Sequence, residues 1–293
     1  MLVVLLSVLA IGALACATRL IQAAMARAAA PSSEAVAVGA VTNFLDTLGI
    51  GSFAPTMAWM KLRNVVSDRL IPCTMLVGHT LPVSVQAMIY LVLLGVLVDP
   101  LLLIGCSIAL LAGALLGAPL VTKTRIELIQ LIVGCALILA ALLYALTNLH
   151  LMPAGGSAGA LPLPLTVAAI AANFAFGALL NFGIGNYAPS LVMFSLMGMD
   201  PHLAFPIMAG GAALAASGAS VRHIDIGEID LRVATGLTLG GIPAVLVAAF
   251  LVKSMPVEVL RWLVIVVVLY TAAVMLRAAF RAYADLKPRR LAS

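Results

Sequence analysis

Two stretches decide how this chain is read: TNFLDTLGIGSFAPT at 42–56 and ALLNFGIGNYAPS at 178–190. Within them GIGSFAP (49–55) recurs as GIGNYAP (183–189), 134 residues further on, with five of seven positions identical. The same shift sets Leu62 on Leu196 and Pro72 on Pro206. Looser echoes follow in order: Gly113-x-x-x-Gly117 is matched in kind by Gly236-x-x-x-Gly240, and IEL at 126–128 resembles VEV at 257–259. The chain is therefore read as two related halves, 31–150 and 161–285, preceded by an extra helix in 1–30. Each motif lies in an apolar run that it is expected to break. Glycines allow backbone angles that a helix forbids, and proline cannot donate a backbone hydrogen bond. A proline just past the break also suits the first turn of a new helix.

Outward from the motifs, the whole chain is apolar. Of 293 residues, 64% are hydrophobic and 9% charged, against about 25% charged in soluble domains, and the mean hydropathy is +1.20. Apolar runs cover roughly 2–18, 35–60, 70–98, 100–121, 126–148, 161–197, 203–221, 232–252 and 257–280. They are hydrophobic on all sides, as membrane helices are, and a crossing needs about 20 such residues. The fold class is an all-α polytopic membrane protein with the lipid bilayer as its surroundings. No stretch has the composition of a soluble catalytic domain. The run Leu2–Ala17 has no basic residue before it, which argues against a cleaved signal peptide. Four cysteines (Cys16, Cys73, Cys106, Cys135) are scattered in apolar runs and read as small hydrophobes.

Basic residues decide the orientation of the halves. If all nine runs crossed, the two faces would carry nine and seven Lys or Arg, which is no bias. If 35–60 and 161–197 instead dip in and return, the count becomes fourteen to two, with only Lys253 and Arg261 on the minor side. Each half then has three true crossings. An odd number turns the second half upside down, giving two inverted repeats, the usual build of secondary transporters. The alternative is a pair of kinked packing helices. The net charge of +5 sits in loops and at the C-terminus, and aromatics are only 5%, so nothing points to nucleic acid.

Broken backbone at membrane depth persists only where protein buries it or where it lines a wet cavity. The N-terminus beyond each break offers free amides and a positive dipole end to an anion. Gly49, Gly51, Pro55, Gly183, Gly185 and Pro189 with the neutral donors Asn43, Thr47, Ser52, Thr56, Asn181, Asn186 and Tyr187 make up the candidate substrate site. Interhelical hydrogen bonding is the plainer role for those side chains. Asp46 is a carboxylate at membrane depth and is costly unless it faces a cavity or a partner. It is read either as a proton-coupling group or as a cap on nearby amides. His79, in a span beside Thr80, is the second proton-coupling candidate. His150, His202 and His223 are placed in loops, and no cofactor or metal is called for. The Gly113 and Gly236 patterns are assigned to close helix packing.

At these motifs, and at VGHTLPV (77–83), the chain resembles the sulfite exporter TauE/SafE family of membrane transporters. Many members carry a GGG-like run in the first motif, where this chain has Gly51-Ser52-Phe53. The resemblance implies export or exchange of small anions, often sulfite or organosulfonates, across a bacterial inner membrane; the basic C-terminus is placed in the cytoplasm by its charge. An anion channel with the same repeats and a membrane scaffold or assembly subunit are the competing classes. Primary pumping lacks a GxxxxGK[ST] loop, and an enzyme lacks HExxH, GxSxG or any spaced catalytic set. Oligomeric state is not readable. In a cysteine-free background, cysteines at Asn64, Thr124 and Ser293 are expected to label from the cytoplasm and one at Gly156 from outside. Labelling of Asn64 and Ser293 from opposite faces excludes the re-entrant arrangement.

Overall fold

The computed structural model describes residues 2–67, 69–94, 97–121, 126–149, 158–180, 186–227 and 229–291. They form eleven helices: α1 (Leu2–Ala26), α2 (Ser33–Thr47), α3 (Phe53–Arg63), α4 (Ile71–Leu93), α5 (Pro100–Val121), α6 (Ile126–Asn148), α7 (Leu163–Leu180), α8 (Tyr187–Leu196), α9 (Pro201–Ile226), α10 (Leu231–Ser254) and α11 (Val257–Leu291). Among the described residues no strand occurs, only an isolated bridge between Ala158 and Met199. The protein is an all-α membrane protein. Five helices are long and apolar enough to cross a bilayer: α1, α4, α9, α10 and α11 over Glu258–Arg281. α5 and α6 hold shorter apolar stretches, Pro100–Leu116 and Gln130–Leu139.

The first motif breaks its segment as expected. α2 stops at Thr47, Gly49 and Gly51 adopt φ of +94° and +86°, and α3 starts at Phe53 with Pro55 in its first turn. α8 starts at Tyr187, also 134 residues on, with Pro189 in its first turn. Leu62 and Leu196 are each the tenth residue of their helix. The Pro72–Pro206 match fails: Pro72 is the second residue of α4, whereas Pro206 is the sixth of α9. The cause is a shorter connection from α8 to α9 than from α3 to α4, which slips the register. Two histidines also fall differently from expectation, His202 in the first turn of α9 and His223 in its last. His150, Lys123 and Arg125 lie outside the described residues.

The two ends of each broken segment come back together. A collinear α2 and α3 would set Glu34 and Arg63 about 40 Å apart at ~1.5 Å per residue. Instead Arg63 Nε is 3.0 Å from Glu34 Oε1, and Trp59 Nε1 donates to the same oxygen at 2.9 Å. Around α7 and α8, Ala158 N donates to Gly198 O (3.3 Å) and Asp200 N to Ala158 O (3.2 Å). These closures lie at opposite ends of the bundle. At one end Ser32 N reaches Arg232 O (3.1 Å), Asp230 N reaches Thr74 Oγ1 (3.0 Å), and Arg19 pairs with Asp225 (3.6 Å). At the other, Asp99 N reaches Gly159 O (3.3 Å) and the His202 ring reaches Met255 O (3.2 Å). We call these the arginine-rich end and the opposite end.

Caps fix where the helices begin. Ser32 accepts from Ala35 N, Asp200 from His202 N, and Asp230 from Arg232 N and Val233 N, each satisfying amides a first turn leaves free. The halves are held together crosswise. α2 lies along α10 and α7 along α5. Gly240 abuts the Val36 carbonyl, Gly39 the Leu237 backbone, Gly113 the Phe174 carbonyl and Gly177 the Leu110 carbonyl. In both pairs contacts advance together along the sequence, so the paired helices run parallel. The main apolar cluster, including Leu102, Leu103, Leu191, Phe194, Phe205 and Leu260, fills the bundle toward its opposite end. Large apolar side chains such as Ile11, Val247 and Val266 face outward at 60% exposure or more, a surface suited to lipid rather than water.

Glycine at the crossings is required by backbone approach, not by turns. Gly240→Leu and Gly113→Leu are expected to cost at least the 1–3 kcal/mol typical of overpacking, because backbone rather than a movable side chain stands in the way. The measurement is folded, monodisperse protein recovered in mild detergent, with Gly218→Leu, which meets open space, as the tolerated control.

Candidate functional site

Hydrogen bonding at the first break begins with Asp46, the penultimate residue of α2. Its Oδ1 accepts from Ser52 N at 2.7 Å, so the carboxylate caps the residue from which α3 starts. Its other oxygen, Oδ2, has no hydrogen-bond partner among the described residues, nor has Ser52 Oγ, and both are buried. Tyr90 of α4 donates to Thr47 O at 2.8 Å, taking up a carbonyl that the end of α2 exposes. A side chain at Gly49 would press on Leu191 (3.4 Å), whereas one at Gly51 would meet nothing within 4 Å. Gly49 thus turns toward the core and Gly51 toward open space.

His79 ties the three surrounding helices together. Asn43 Nδ2 donates to Gly39 O (2.7 Å), which turns its Oδ1 to His79 Nδ1 (3.0 Å) as an acceptor. Nδ1 therefore carries the hydrogen, and in the neutral ring Nε2 accepts from the Thr56 hydroxyl at 3.0 Å. Phe53 lies against the same ring, centroids 5.7 Å apart. α2, α3 and α4 are thereby joined through one imidazole with both nitrogens engaged. Across the bundle, Thr80 Oγ1 and Ser220 Oγ are 2.6 Å apart, linking α4 to α9.

At the second break, Asn186 precedes α8 and donates to Met208 O at 3.3 Å. Tyr187 opens the helix, and its hydroxyl accepts from Gln86 Nε2 at 3.1 Å. No side chain caps α3 or α8 from its own N-cap position, Ser52 or Asn186, so their first-turn amides have no intrahelical partner. Both helices start at one cavity of about 300 Å³. Asp46, Gly49, Gly51, Ser52, His79, Asn186 and Tyr187 line it. Asn43, Thr47 and Thr56 stand one layer behind it and are fully buried. Pro55 and Pro189 shape the first turns of α3 and α8 and are not among its walls. Asn181, Gly183 and Gly185 lie outside the described residues.

Several wall residues carry no motif that marks them in the sequence. Tyr270 and Thr271 come from α11, where they are the only polar pair in the middle of a long apolar run. That pair was a readable signal. Ala212, Ala215, Ala216 and Ala219 present a small-residue face of α9, at the spacing of one helical stripe. Gln86, whose Oε1 is buried without a partner among the described residues, is a further polar group in a span. No group of three or more His, Cys, Asp or Glu capable of holding a metal occurs among the described residues.

The comparison with known families bears on the second half, which contributes α8 and the α9 and α11 walls. Residues 165–293 match the sulfite exporter TauE/SafE family model. The resemblance is borne out over the second half, including the second motif, and TauE/SafE is a family of membrane transporters. The TauE/SafE match takes in Asn186, Tyr187 and Pro189; Asp46 and His79 lie in the half before it. No curated protein and no solved structure matches the chain.

The two glycines of the first break should respond differently. Gly49→Leu is expected to lower the yield of folded protein by driving a side chain into Leu191, Phe205 and Val267. Gly51→Ala is expected to fold, at a cost of about 1–2 kcal/mol for the left-handed backbone, while anion flux falls. Flux in proteoliposomes normalised to folded protein checks both. Normal flux in Gly51→Ala would remove that backbone from the site.

Proposed function

We propose that the chain is a proton-coupled secondary transporter that exports small anions, sulfite or organosulfonates, across a bacterial inner membrane. The observation that carries this reading is the meeting of two broken segments at one cavity, with the starts of α3 and α8 directed to it and Asp46 in its wall. Helix starts favour negative charge. A buried carboxylate beside them is a group whose proton a bound anion would influence, since like charges in one dry space oppose each other's ionisation. The description "sulfite exporter" belongs to TauE/SafE proteins; sulfite is carried to this chain as part of the proposal.

The halves are taken as inverted repeats, with α2–α3 and α7–α8 entering from opposite faces. In support, the hairpin closures lie at opposite ends of the bundle. The arginine-rich end is assigned to the cytoplasm by the fourteen-to-two distribution of Lys and Arg, and the C-terminus with it. The cavity draws on the parts of α4, α5, α9 and α11 toward that end, while Tyr90, Phe205 and Leu191 pack beyond it. A cavity closed on one side favours a carrier over the rival reading of an open channel.

The test separates coupling from binding. Asp46→Asn keeps an oxygen for Ser52 N and imitates the protonated acid. It is expected to retain exchange of labelled anion at equal concentrations, within a few-fold, and to lose accumulation driven by a pH gradient. Parallel loss of both, with loss of folded protein, would make Asp46 structural. Absence of trans-stimulated counterflow in the unaltered protein would favour a channel.

A further inference from the structure

We infer that the cavity selects a monovalent organic anion, an acidic head on a short uncharged hydrocarbon body, over small inorganic oxyanions and over dianions. This rests on the transport reading above and concerns what the same site accepts. The first argument is size. At ~30 Å³ per water, about 300 Å³ is the space of roughly ten waters, whereas an ion of four heavy atoms fills on the order of two. The space lies at the lower end of pockets that enclose organic ligands, about 300–1,000 Å³.

The second argument is the wall. The cavity wall includes Ala212, Ala215, Ala216 and Ala219 of α9 with Val274 and Met275 of α11. Water or a bare ion gains nothing from such a surface, while each methylene placed on it leaves water favourably. Polar side chains share that wall, among them His79, Asn186, Tyr187 and Thr271. The site therefore offers polar contacts for a head and apolar surface for a body.

The third argument is charge. Among the described wall residues there is no Lys or Arg. The positive field comes from two helix starts, each equivalent to about half a charge, and the start of α3 already has its own carboxylate in Asp46. At the equivalent position of the second half the residue is Leu180, so the start of α8 has no such built-in anion. With Asp46 protonated, the two half-charges balance a single negative charge. A second would be left without a partner, and an unpaired buried charge is strongly disfavoured.

The experiment uses the full-length, unaltered protein. Binding by calorimetry in detergent and inhibition of anion counterflow in proteoliposomes are measured for methane-, ethane- and butanesulfonate, butyrate, sulfite, sulfate and ethane-1,2-disulfonate. Affinity is expected to rise by roughly fourfold per added methylene. Butyrate tests whether the head must be a sulfonate. Ethane-1,2-disulfonate and sulfate are expected to bind at least tenfold more weakly than ethanesulfonate. A flat chain-length series, or disulfonate or sulfite binding as tightly as butanesulfonate, overturns the inference; anion counterflow in that case leaves the transport reading intact. Absence of both binding and counterflow for every compound overturns the two together.

Discussion

Much in this fold follows from helices, α2 and α3, α7 and α8, that end and begin inside the bundle. A helix ending in hydrocarbon leaves amides and carbonyls with no water to meet, and each must be met by protein. At the first break Asp46 takes the amide of Ser52 and Tyr90 takes the carbonyl of Thr47. His79 then fixes Asn43 and Thr56 on the two arms of the hairpin. These groups are polar because the break is polar, and they are buried because it is deep. The cavity is what remains where two such ends face each other and their first-turn amides are left over.

That same constraint explains which features are legible in the amino-acid sequence and which are not. Breaks and their new helix starts are legible because they depend on local chemistry: Gly49, Gly51 and Pro55 announce a turn and a first helical turn wherever they occur together. Apolar runs are legible because lipid imposes them along the whole length. The partners of the polar groups are not, since Asn43–His79 and Gln86–Tyr187 join residues 36 and 101 positions apart. Tyr270 and Thr271 stand out in their run, but nothing local says which way they face. The mistaken Pro72–Pro206 equivalence has the same root: a constant shift holds while loops are equal and fails where the link into α9 is shorter.

The description of the TauE/SafE family names an inorganic ion, while the cavity combines polar groups with alanine-lined surface. The two need not conflict. Families of carriers keep the frame that breaks and closes helices, and the substrate is set by what lines the space. Here the lining includes α9 and α11 positions that no short motif marks, so the family description and the wall chemistry answer different questions.

The crossed pairing of the halves has a consequence for synthesis. α2 leaves the ribosome with the glycine face that will receive α10, yet Arg232, whose carbonyl holds Ser32, lies 200 residues further along. At about 5–20 residues per second, the first hairpin waits on the order of 10–40 seconds for its partner. During that interval its small-residue groove has no permanent occupant, and it must be shielded by lipid, by α4 or by the insertion machinery. Neither half can complete itself alone. A chain truncated before α10 would leave α2 in the bilayer without the neighbour it packs on, which makes such nascent intermediates natural targets for membrane quality control.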